Sequence, residues 1–176
     1  MPFKVRRLER GDGRTDFRSG NVDLDRFFVS YAGQNQFRHH IGTTYVAVDR
    51  TGFIAGFATV TASEIAPASI PAGSSKRLPR YAVPVLRLAR LAVDERAKGR
   101  GVGGLLVRSV LVLSQRMARE IGCVGVVVDA KSQAVPFYKK LGFLPMDSVA
   151  GCLGDRPEPQ PMFLELAQIP EATNPR

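Results

Sequence analysis

The sequence predicts one domain of the mixed α/β class, and three observations support this class. Strand-like and helix-like segments follow the order β-α-α-β-β-β-α-β-α-β-β, in which most strands are adjacent in sequence and two helices form crossovers. Val124–Val128 is a continuous apolar run, typical of a strand buried on both faces. The 176 residues, 44% hydrophobic and 23% charged, suit one globular domain. We therefore expect a single domain over 1–176, with a flexible tail over about 169–176.

The N-terminal half predicts an edge strand, helices and a β-hairpin. Asn21 is a favoured N-cap residue, and Gly33 is predicted to interrupt the helix that Asn21 begins. The apolar stripe of this helix consists of Val22, Leu24, Phe27, Phe28 and Tyr31. The predicted strands are Pro2–Leu8, Thr43–Val48 and Phe53–Val60, the last two joined by the turn Asp49–Gly52.

The C-terminal half predicts two helices that each end at a glycine. The longer one begins near Leu105 and ends at Gly122. The shorter one ends at Gly142, and its residues Ala134, Phe137 and Leu141 share a face, which leaves Tyr138 free to point elsewhere. The predicted strands are Val85–Val93, Val124–Val128, Phe143–Val149 and Met162–Leu166, and Ser63–Arg80 is predicted to be a loop.

A glycine-rich segment separates the strand Val85–Val93 from the longer helix. Gly99, Gly101 and Gly103 occupy every second position there. A strand, a glycine loop and a helix N-terminus turn several backbone N–H groups toward one point, where a phosphate or pyrophosphate binds well. The spacing differs from the Gly-x-Gly-x-x-Gly dinucleotide pattern and lacks the Gly-Lys-Ser/Thr ending of a P-loop. Taken alone, the glycines fit a plain tight turn equally well.

The charge and the apolar segments limit which partners and which cell compartment the sequence suits. The net charge is +9, the isoelectric point is about 10.2, and 19 of the 25 basic residues are arginine. An arginine excess suits a polyanionic partner, although a basic surface kept for solubility explains it equally well. No apolar run approaches the roughly 20 residues that span a bilayer. We expect no secretory signal, because no continuous apolar segment follows the basic residues near the N-terminus. We expect a cytoplasmic protein that binds no metal, with Cys123 and Cys152 reduced.

Two motifs together resemble one enzyme family. Leu91–Asp94 followed by Lys98–Gly103 resembles the acetyl-CoA-binding signature of the GNAT acetyltransferases. Phe137–Phe143 resembles the Phe-Tyr-x-x-Leu-Gly-Phe segment of the same family. The resemblance covers about Thr43–Leu166. It implies acetyl-CoA as co-substrate and the GNAT fold, a splayed mixed central sheet of about six to seven strands with helices on both faces.

The resemblance also implies a role for individual residues. Backbone groups before and within the glycine loop would hold the pantetheine and the pyrophosphate of acetyl-CoA. These residues are Leu91, Ala92, Val93, Lys98, Gly99, Arg100, Gly101, Val102 and Gly103. Tyr138 would lie beside the thioester sulfur and donate a proton to the departing thiolate. The family usually has Gln or Arg where this chain has Lys98, a change that backbone contacts tolerate.

Three further segments resemble the GNAT toxins of bacterial toxin–antitoxin pairs. They are Phe17–Phe28, Tyr31–Gln36 and Leu78–Val93, and they extend the resemblance to nearly the whole chain. Members of that group acetylate the α-amine of aminoacyl-tRNA, which blocks translation, and a ribbon-helix-helix antitoxin neutralises them. The resemblance therefore implies an aminoacyl-tRNA substrate and such an antitoxin as partner. Homodimers are common in the group.

Acid–base chemistry agrees with an α-amine as acceptor. The strand Val85–Val93 contains no Asp, Glu or His, where many family members that act on lysine-like amines have an acid. A lysine amine has a pKa of about 10.4 and an α-amine one of about 7.7–8.0, so an α-amine needs less help to lose its proton. Glu64, His39 and His40 remain candidate bases. Candidate tRNA-binding residues are Arg77, Arg80, Arg87, Arg90, Lys139 and Lys140.

Two other functions stay open on the sequence. The acceptor of an acetyltransferase with these motifs could be a protein N-terminus, a polyamine or an antibiotic, although a strongly basic chain suits polycationic acceptors poorly. A regulator that binds CoA or nucleic acid without catalysis is the third alternative. The presence of Tyr138 argues against a regulator.

Overall fold

The computed structural model describes residues 2–71, 78–146 and 159–168. The strands in these ranges are β1 Lys4–Arg7, β2 Thr43–Val48, β3 Ile54–Ile65, β4 Val83–Val93, β5 Gly125–Ala130, β6 Leu144–Pro145 and β7 Gln160–Glu165. The α-helices are α1 Val22–Arg26, α2 Ala32–Gln34, α3 Val102–Glu120 and α4 Val135–Lys140. Predictions for Arg77, Cys152 and the tail over 169–176 concern residues outside the described ranges.

The seven strands form one sheet in the order β1-β2-β3-β4-β5-β7-β6. The pairs β1–β2, β2–β3, β5–β7 and β6–β7 are antiparallel. The mixed α/β class is confirmed. The chain divides into two compact units, unit 1 with Met1–Thr61 and Leu88–Leu111, and unit 2 with Ala62–Arg87 and Val112–Arg176. A single domain over 1–176 stays a prediction.

Unit 1 packs around an aromatic cluster on one face of β3. The rings of Phe28 and Phe57 stack at 4.4 Å between centroids, and Phe17 meets Phe28 edge-on at 4.8 Å. On the opposite face of β3, Gly56 leaves room for α3, because a Cβ there would lie 2.9 Å from the Val102 side chain. Helices therefore pack on both faces of β3 within this unit, as predicted from the sequence.

The helical segment of unit 1 departs from the prediction at Gly33. Asn21 caps α1 as expected, accepting from the N–H groups of Asp23 and Leu24. The segment then continues past Gly33 to His39 through two π-helical turns, Phe27–Tyr31 and Asn35–His39. The prediction of an interruption is wrong. Gly33 is buried under Arg14, whose Nη2 atom lies 3.0 Å from the place of a Cβ.

The predicted apolar stripe of this helix is only partly buried. Phe27 and Phe28 lie in the core and Leu24 packs against it, whereas Val22 and Tyr31 are 71% and 49% exposed. The extra residue in a π-helical turn rotates the residues that follow, so the 3.6-residue period no longer places Tyr31 inward. Val22 stands in the first turn of α1, where nothing of the core covers it.

The strands lie where the sequence predicts them, but several begin or end at other residues. The hairpin β2–β3 is confirmed, and Asp49 Oδ1 accepts from the N–H groups of Thr51 and Phe53 in its turn. β3 runs to Ile65, five residues past the predicted end, because a half-buried and exposed alternation continues into the predicted loop. The predicted strand Phe143–Val149 is reduced to β6 within the described residues.

Unit 2 has its own apolar core between its strands. The core consists of Ile70, Val83, Val85, Val127, Met146 and Phe163. β5 is buried on both faces as predicted, since Val126, Val127 and Val128 are at most 3% exposed. Gly125 allows close packing in this core, because a Cβ there would lie 2.6 Å from the Phe163 ring.

Candidate functional site

The glycine loop of unit 1 has the geometry of an anion site. β4 ends at Val93, a 3₁₀ turn follows at Glu95–Ala97, and α3 begins at Val102. Gly99 and Gly101 have φ angles of 75° and 76°, a left-handed conformation that glycine adopts without strain. The first N–H groups of α3 have no carbonyl partner inside the helix. These donors and the positive end of the helix dipole can hold a phosphate group.

Two backbone donors of the loop already have partners. The N–H of Arg100 donates to the Ala97 carbonyl at 3.3 Å, and the N–H of Lys98 points to the Glu95 carbonyl at 3.5 Å. The Arg100 guanidinium lies 4.6 Å above the Phe3 ring. These three contacts stiffen the loop, so a pyrophosphate would depend mainly on the N–H groups at the start of α3 and on the exposed Lys98.

A buried carboxylate holds the start of this loop. Asp94 is fully buried and accepts four hydrogen bonds, from the backbone N–H groups of Arg96 and Arg18 at 2.9 and 3.1 Å and from the Arg96 guanidinium at 2.8 and 2.9 Å. Burial raises the pKa of the carboxyl group, but the bonds from Arg96 and Arg18 outweigh it and hold the pKa below its ordinary value. The sequence signal for this role was an Asp at the N-cap of a turn, four residues before Lys98.

The strand residues expected to contact pantetheine alternate in burial. Ala92 is buried in the aromatic core of unit 1, while Leu91 and Val93 are half-buried. The backbone of β4 at Ala92 approaches β3 closely, since its carbonyl lies 2.8 Å from the place of a Cβ on Gly56. The Asp94 N–H donates to the Ala55 carbonyl at 2.8 Å, which fixes the end of the strand.

Tyr138 lies on α4 in unit 2, with its ring buried and its hydroxyl open. The side chain is 4% exposed and meets Phe137 and Phe143 edge-on at 5.1 and 5.5 Å. Tyr138 is the buried residue of α4, whereas Ala134, Phe137 and Leu141 are half-buried, so the face that these three residues share is not the more buried one. Among the described residues none hydrogen-bonds to the hydroxyl, and no buried polar side-chain atom lacks a partner, so the oxygen reaches solvent. Burial raises the pKa of the phenol, which keeps its proton available for donation.

The candidate tRNA-binding residues differ in what they contact. Arg80, Lys139 and Lys140 in unit 2 are exposed. Arg90 in unit 1 is exposed, with its guanidinium 3.8 Å above the Phe27 ring. Arg87 in unit 2 instead forms an ion pair, its Nη1 atom 2.6 Å from Asp129 Oδ2.

The candidate bases are poorly oriented in the described structure. Glu64 is exposed at the edge of an open groove of about 480 Å³, which is lined by Ala62, Ser63, Glu64, Ala82 and Pro84. His39 hydrogen-bonds Gln34 at 3.1 Å on the surface of unit 1. His40 is exposed and ends the helical segment in a left-handed conformation, with φ 53°.

The residues that the structure describes give little support for metal or thiol chemistry. These residues contain no group of three or more His, Cys, Asp or Glu side chains that could hold a metal ion. The Cys123 thiol is buried and donates to the Gly125 carbonyl at 3.2 Å, and burial raises its pKa, which disfavours the nucleophilic thiolate. None of the described helices is both long and apolar enough to cross a membrane.

Comparison with known proteins gives both a family and specific relatives. The model of the acetyltransferase (GNAT) domain matches residues 40–145. The chain is 32% identical over 139 residues to the tRNA-acetylating toxin of Mycobacterium tuberculosis, an alignment that covers 78% of this chain and 82% of that protein.

Solved structures of GNAT toxins have the same fold. AtaT complexed with acetyl-methionyl-tRNAfMet superimposes with a TM-score of 0.82 and 25% identity, over 95% of this chain and 96% of that one. AtaTR bound with acetyl-CoA gives a TM-score of 0.75 and 25% identity over 96% of each chain. Because the family model spans more than half of the chain and the mycobacterial toxin aligns with most of it, this protein belongs to the GNAT acetyltransferases, enzymes whose acetyl donor is acetyl-CoA.

Proposed function

We propose that the protein is a toxin that transfers the acetyl group of acetyl-CoA to the α-amine of aminoacyl-tRNA and so blocks translation. The observation that carries this proposal is the 32% identity to a tRNA-acetylating toxin across 78% of the chain. The net charge of +9 suits a polyanionic substrate. The lack of an acidic or histidine side chain on β4 suits an amine that loses its proton near neutral pH.

The donor would be held through backbone groups of unit 1. In this proposal the pyrophosphate binds at the N–H groups from Lys98 to Gly103, chiefly those at the start of α3, with the Lys98 ammonium as an added charge. Leu91, Ala92 and Val93 provide the backbone along the pantetheine. Asp94 binds no cofactor but fixes the turn from which the loop starts.

Tyr138 would supply the proton that completes the transfer. The amine nitrogen attacks the thioester carbonyl carbon, the C–N bond forms, and the C–S bond breaks. The departing thiolate takes the phenolic proton of Tyr138, whose raised pKa ensures that the proton is present at neutral pH. The open hydroxyl on a buried, immobilised ring suits this role, since the donor has no competing partner among the described residues.

The basic residues would position the tRNA through its phosphates. Arg80, Arg90, Lys139 and Lys140 are exposed and fit this role, and Arg77 is proposed for it from the sequence alone. Such contacts orient the acceptor stem and depend on salt, without selecting a base sequence. Arg87 is committed to Asp129 and fits the role less well.

We further propose that a ribbon-helix-helix antitoxin neutralises the protein and that the toxin forms a homodimer. Support comes from the resemblance to toxin–antitoxin pairs. Affinity purification of the tagged protein from its own cells, followed by identification of any small protein that co-purifies, tests the first proposal. Sedimentation of the isolated protein tests the second.

Transfer of labelled acetyl to purified acceptors tests the proposed function. We expect label on aminoacyl-tRNA and none on deacylated tRNA or on formyl-methionyl-tRNA, whose α-amine is blocked. A peptide with a free N-terminus is a parallel acceptor. Label on the peptide alone would reject the tRNA-directed function and leave an acetyltransferase for protein N-termini.

A further inference from the structure

A polar group of three side chains in unit 2 has no role in the chemistry described so far. Arg87 on β4 joins Asp129 on β5 and Ser63 on β3. Its Nη1 atom donates to Asp129 Oδ2 at 2.6 Å, and its Nε atom lies 3.4 Å from Ser63 Oγ. The guanidinium therefore spans three strands of the unit.

The strand period explains why these residues meet. Side chains two residues apart on a strand point to the same face. Val85, Val127 and Ile65 belong to or pack against the apolar core of unit 2. Arg87, Asp129 and Ser63 follow or precede them by two residues, so the polar group forms the next layer on the same face.

The ion pair changes what each partner can do. It neutralises the Arg87 charge, which weakens the case for this residue as a phosphate contact. Asp129 keeps one oxygen open, because Arg87 occupies Oδ2 while none of the described residues donates to Oδ1. The Asp129 side chain is 45% exposed, so Oδ1 is accessible from solvent.

We propose that Asp129 Oδ1 binds the α-amino group of the acceptor and takes the proton that this group loses, with Arg87 as the positioning residue. This inference rests on the proposed function. When the neutral amine attacks the thioester carbonyl carbon, its nitrogen becomes positively charged. One N–H proton then passes to Asp129 and on to water, while the thiolate receives its proton from Tyr138.

Hydrogen bonding and geometry favour this ligand over a phosphate and this carboxylate over Glu64. The open Oδ1 atom is a hydrogen-bond acceptor, which suits an amine with its N–H donors and does not suit phosphate oxygens, which are acceptors themselves. Asp129 stands on a buried strand with one oxygen held by a guanidinium, which fixes the direction of the other. None of the described residues hydrogen-bonds to the Glu64 carboxylate, so no such bond fixes its direction.

The experiment compares Asp129→Asn, Arg87→Gln and the double variant with the wild type. We expect Asp129→Asn to lower kcat about 10²-fold or more, the lower range for loss of a general base. Acetyl-CoA affinity, measured by calorimetry, should not change. Arg87→Gln should lower kcat about 10-fold through misplacement of the carboxylate. The double variant should match Asp129→Asn, because both changes remove one unit.

The pH profile gives a readout that a purely structural role would not change. An adjacent carboxylate stabilises the ammonium form of the bound acceptor, so the acidic limb of kcat should move to lower pH in Asp129→Asn. Glu120→Gln is the matched control, since Glu120 forms an exposed ion pair with Arg116 on α3. It should retain wild-type turnover and pH profile.

Three results would overturn the inference. The first is wild-type kcat with an unshifted pH limb in Asp129→Asn. The second is additive losses in the double variant together with a salt slope for tRNA binding that falls by about one in Arg87→Gln, the sign of a phosphate contact. The third is wild-type protein inactive on every α-amine offered. Activity on a peptide α-amine alone would reject the tRNA-directed function, and Asp129→Asn would then be assayed on that peptide with the same expectations.

Discussion

The two units use different parts of the chain to make their functional groups. In unit 1 the glycine loop offers backbone N–H groups at a helix N-terminus, and the side chains around it, Asp94 and Arg100, brace it from outside. In unit 2 the proposed chemistry rests on side chains, the Tyr138 hydroxyl and the Asp129 carboxylate. A backbone site is encoded in a few consecutive residues, whereas a side-chain site depends on tertiary packing.

The largest expected effect concerns the side-chain site of unit 2. Tyr138→Phe removes the proton donor and keeps the buried ring, so we expect kcat to fall roughly 10²–10⁴-fold. Tyr81→Phe makes the same chemical change in a tyrosine that is 74% exposed, and should retain full turnover. Steady-state kinetics on both variants measure the difference. Full activity of Tyr138→Phe would remove this residue from the mechanism.

The backbone site of unit 1 should respond to a single methyl group. Gly101→Ala forces a side chain into the left-handed conformation at φ 76°, at a cost of about 1–2 kcal/mol. We expect acetyl-CoA to bind about 10-fold more weakly by calorimetry, because the start of α3 shifts. Gly104→Ala is the control, since nothing lies within 4 Å of its Cβ position inside α3. Equal affinities of the two variants would contradict a backbone-built site.

A smaller effect on acetyl-CoA binding is expected at Asp94, which holds the start of the glycine loop. Asp94→Asn keeps the shape of the side chain but loses the charge that Arg96 and Arg18 contact, and we expect about 1.5–3 kcal/mol less stability against unfolding. Acetyl-CoA should bind a few-fold more weakly. Asp12→Asn removes a carboxylate that the Arg6 guanidinium contacts at 2.7 and 2.9 Å, and should leave acetyl-CoA affinity unchanged. Wild-type acetyl-CoA affinity in Asp94→Asn would show that the binding geometry of the loop does not depend on the Asp94 carboxylate.

The same carboxylate makes the stability of the protein depend on pH. The pKa of Asp94 is lowered in the folded state, so its stabilisation is complete above the ordinary pKa of a carboxyl group, about 3.9, and is lost as pH falls through the lowered value. Acid titration of thermal stability should therefore be shallower for Asp94→Asn than for the wild type below about pH 4. Parallel titration curves would contradict this assignment.

Local signals in the sequence predicted much of the fold and the glycine loop. The Asn21 cap, the β2–β3 turn, the buried strand β5 and the glycine loop each depend on neighbouring residues. The helix beyond Gly33 could not be predicted in the same way, because a distant arginine covers that glycine and π-helical turns change the period. The features that the sequence did not predict depend on tertiary contacts between residues far apart in the chain.

The acceptor chemistry shows the same limit more sharply. Arg87 and Asp129 are 42 residues apart in sequence, and only the pairing of strands brings them within 2.6 Å. The sequence therefore predicted Arg87 as a free cation for tRNA phosphates. It also left the packing of Tyr138 open, and the ring is the buried side chain of α4. In both cases the residue was found and its surroundings were not.

Mass spectrometry of the charged tRNA pool tests the central claim most directly. Total aminoacyl-tRNA is incubated with the protein and isotopically labelled acetyl-CoA, and ribonuclease then releases the 3′-terminal aminoacyl-adenosines. The proposed function predicts aminoacyl-adenosines heavier by one labelled acetyl group on the α-nitrogen, and none with Tyr138→Phe over the same time. Unmodified aminoacyl-adenosines in the presence of active wild-type enzyme would contradict it.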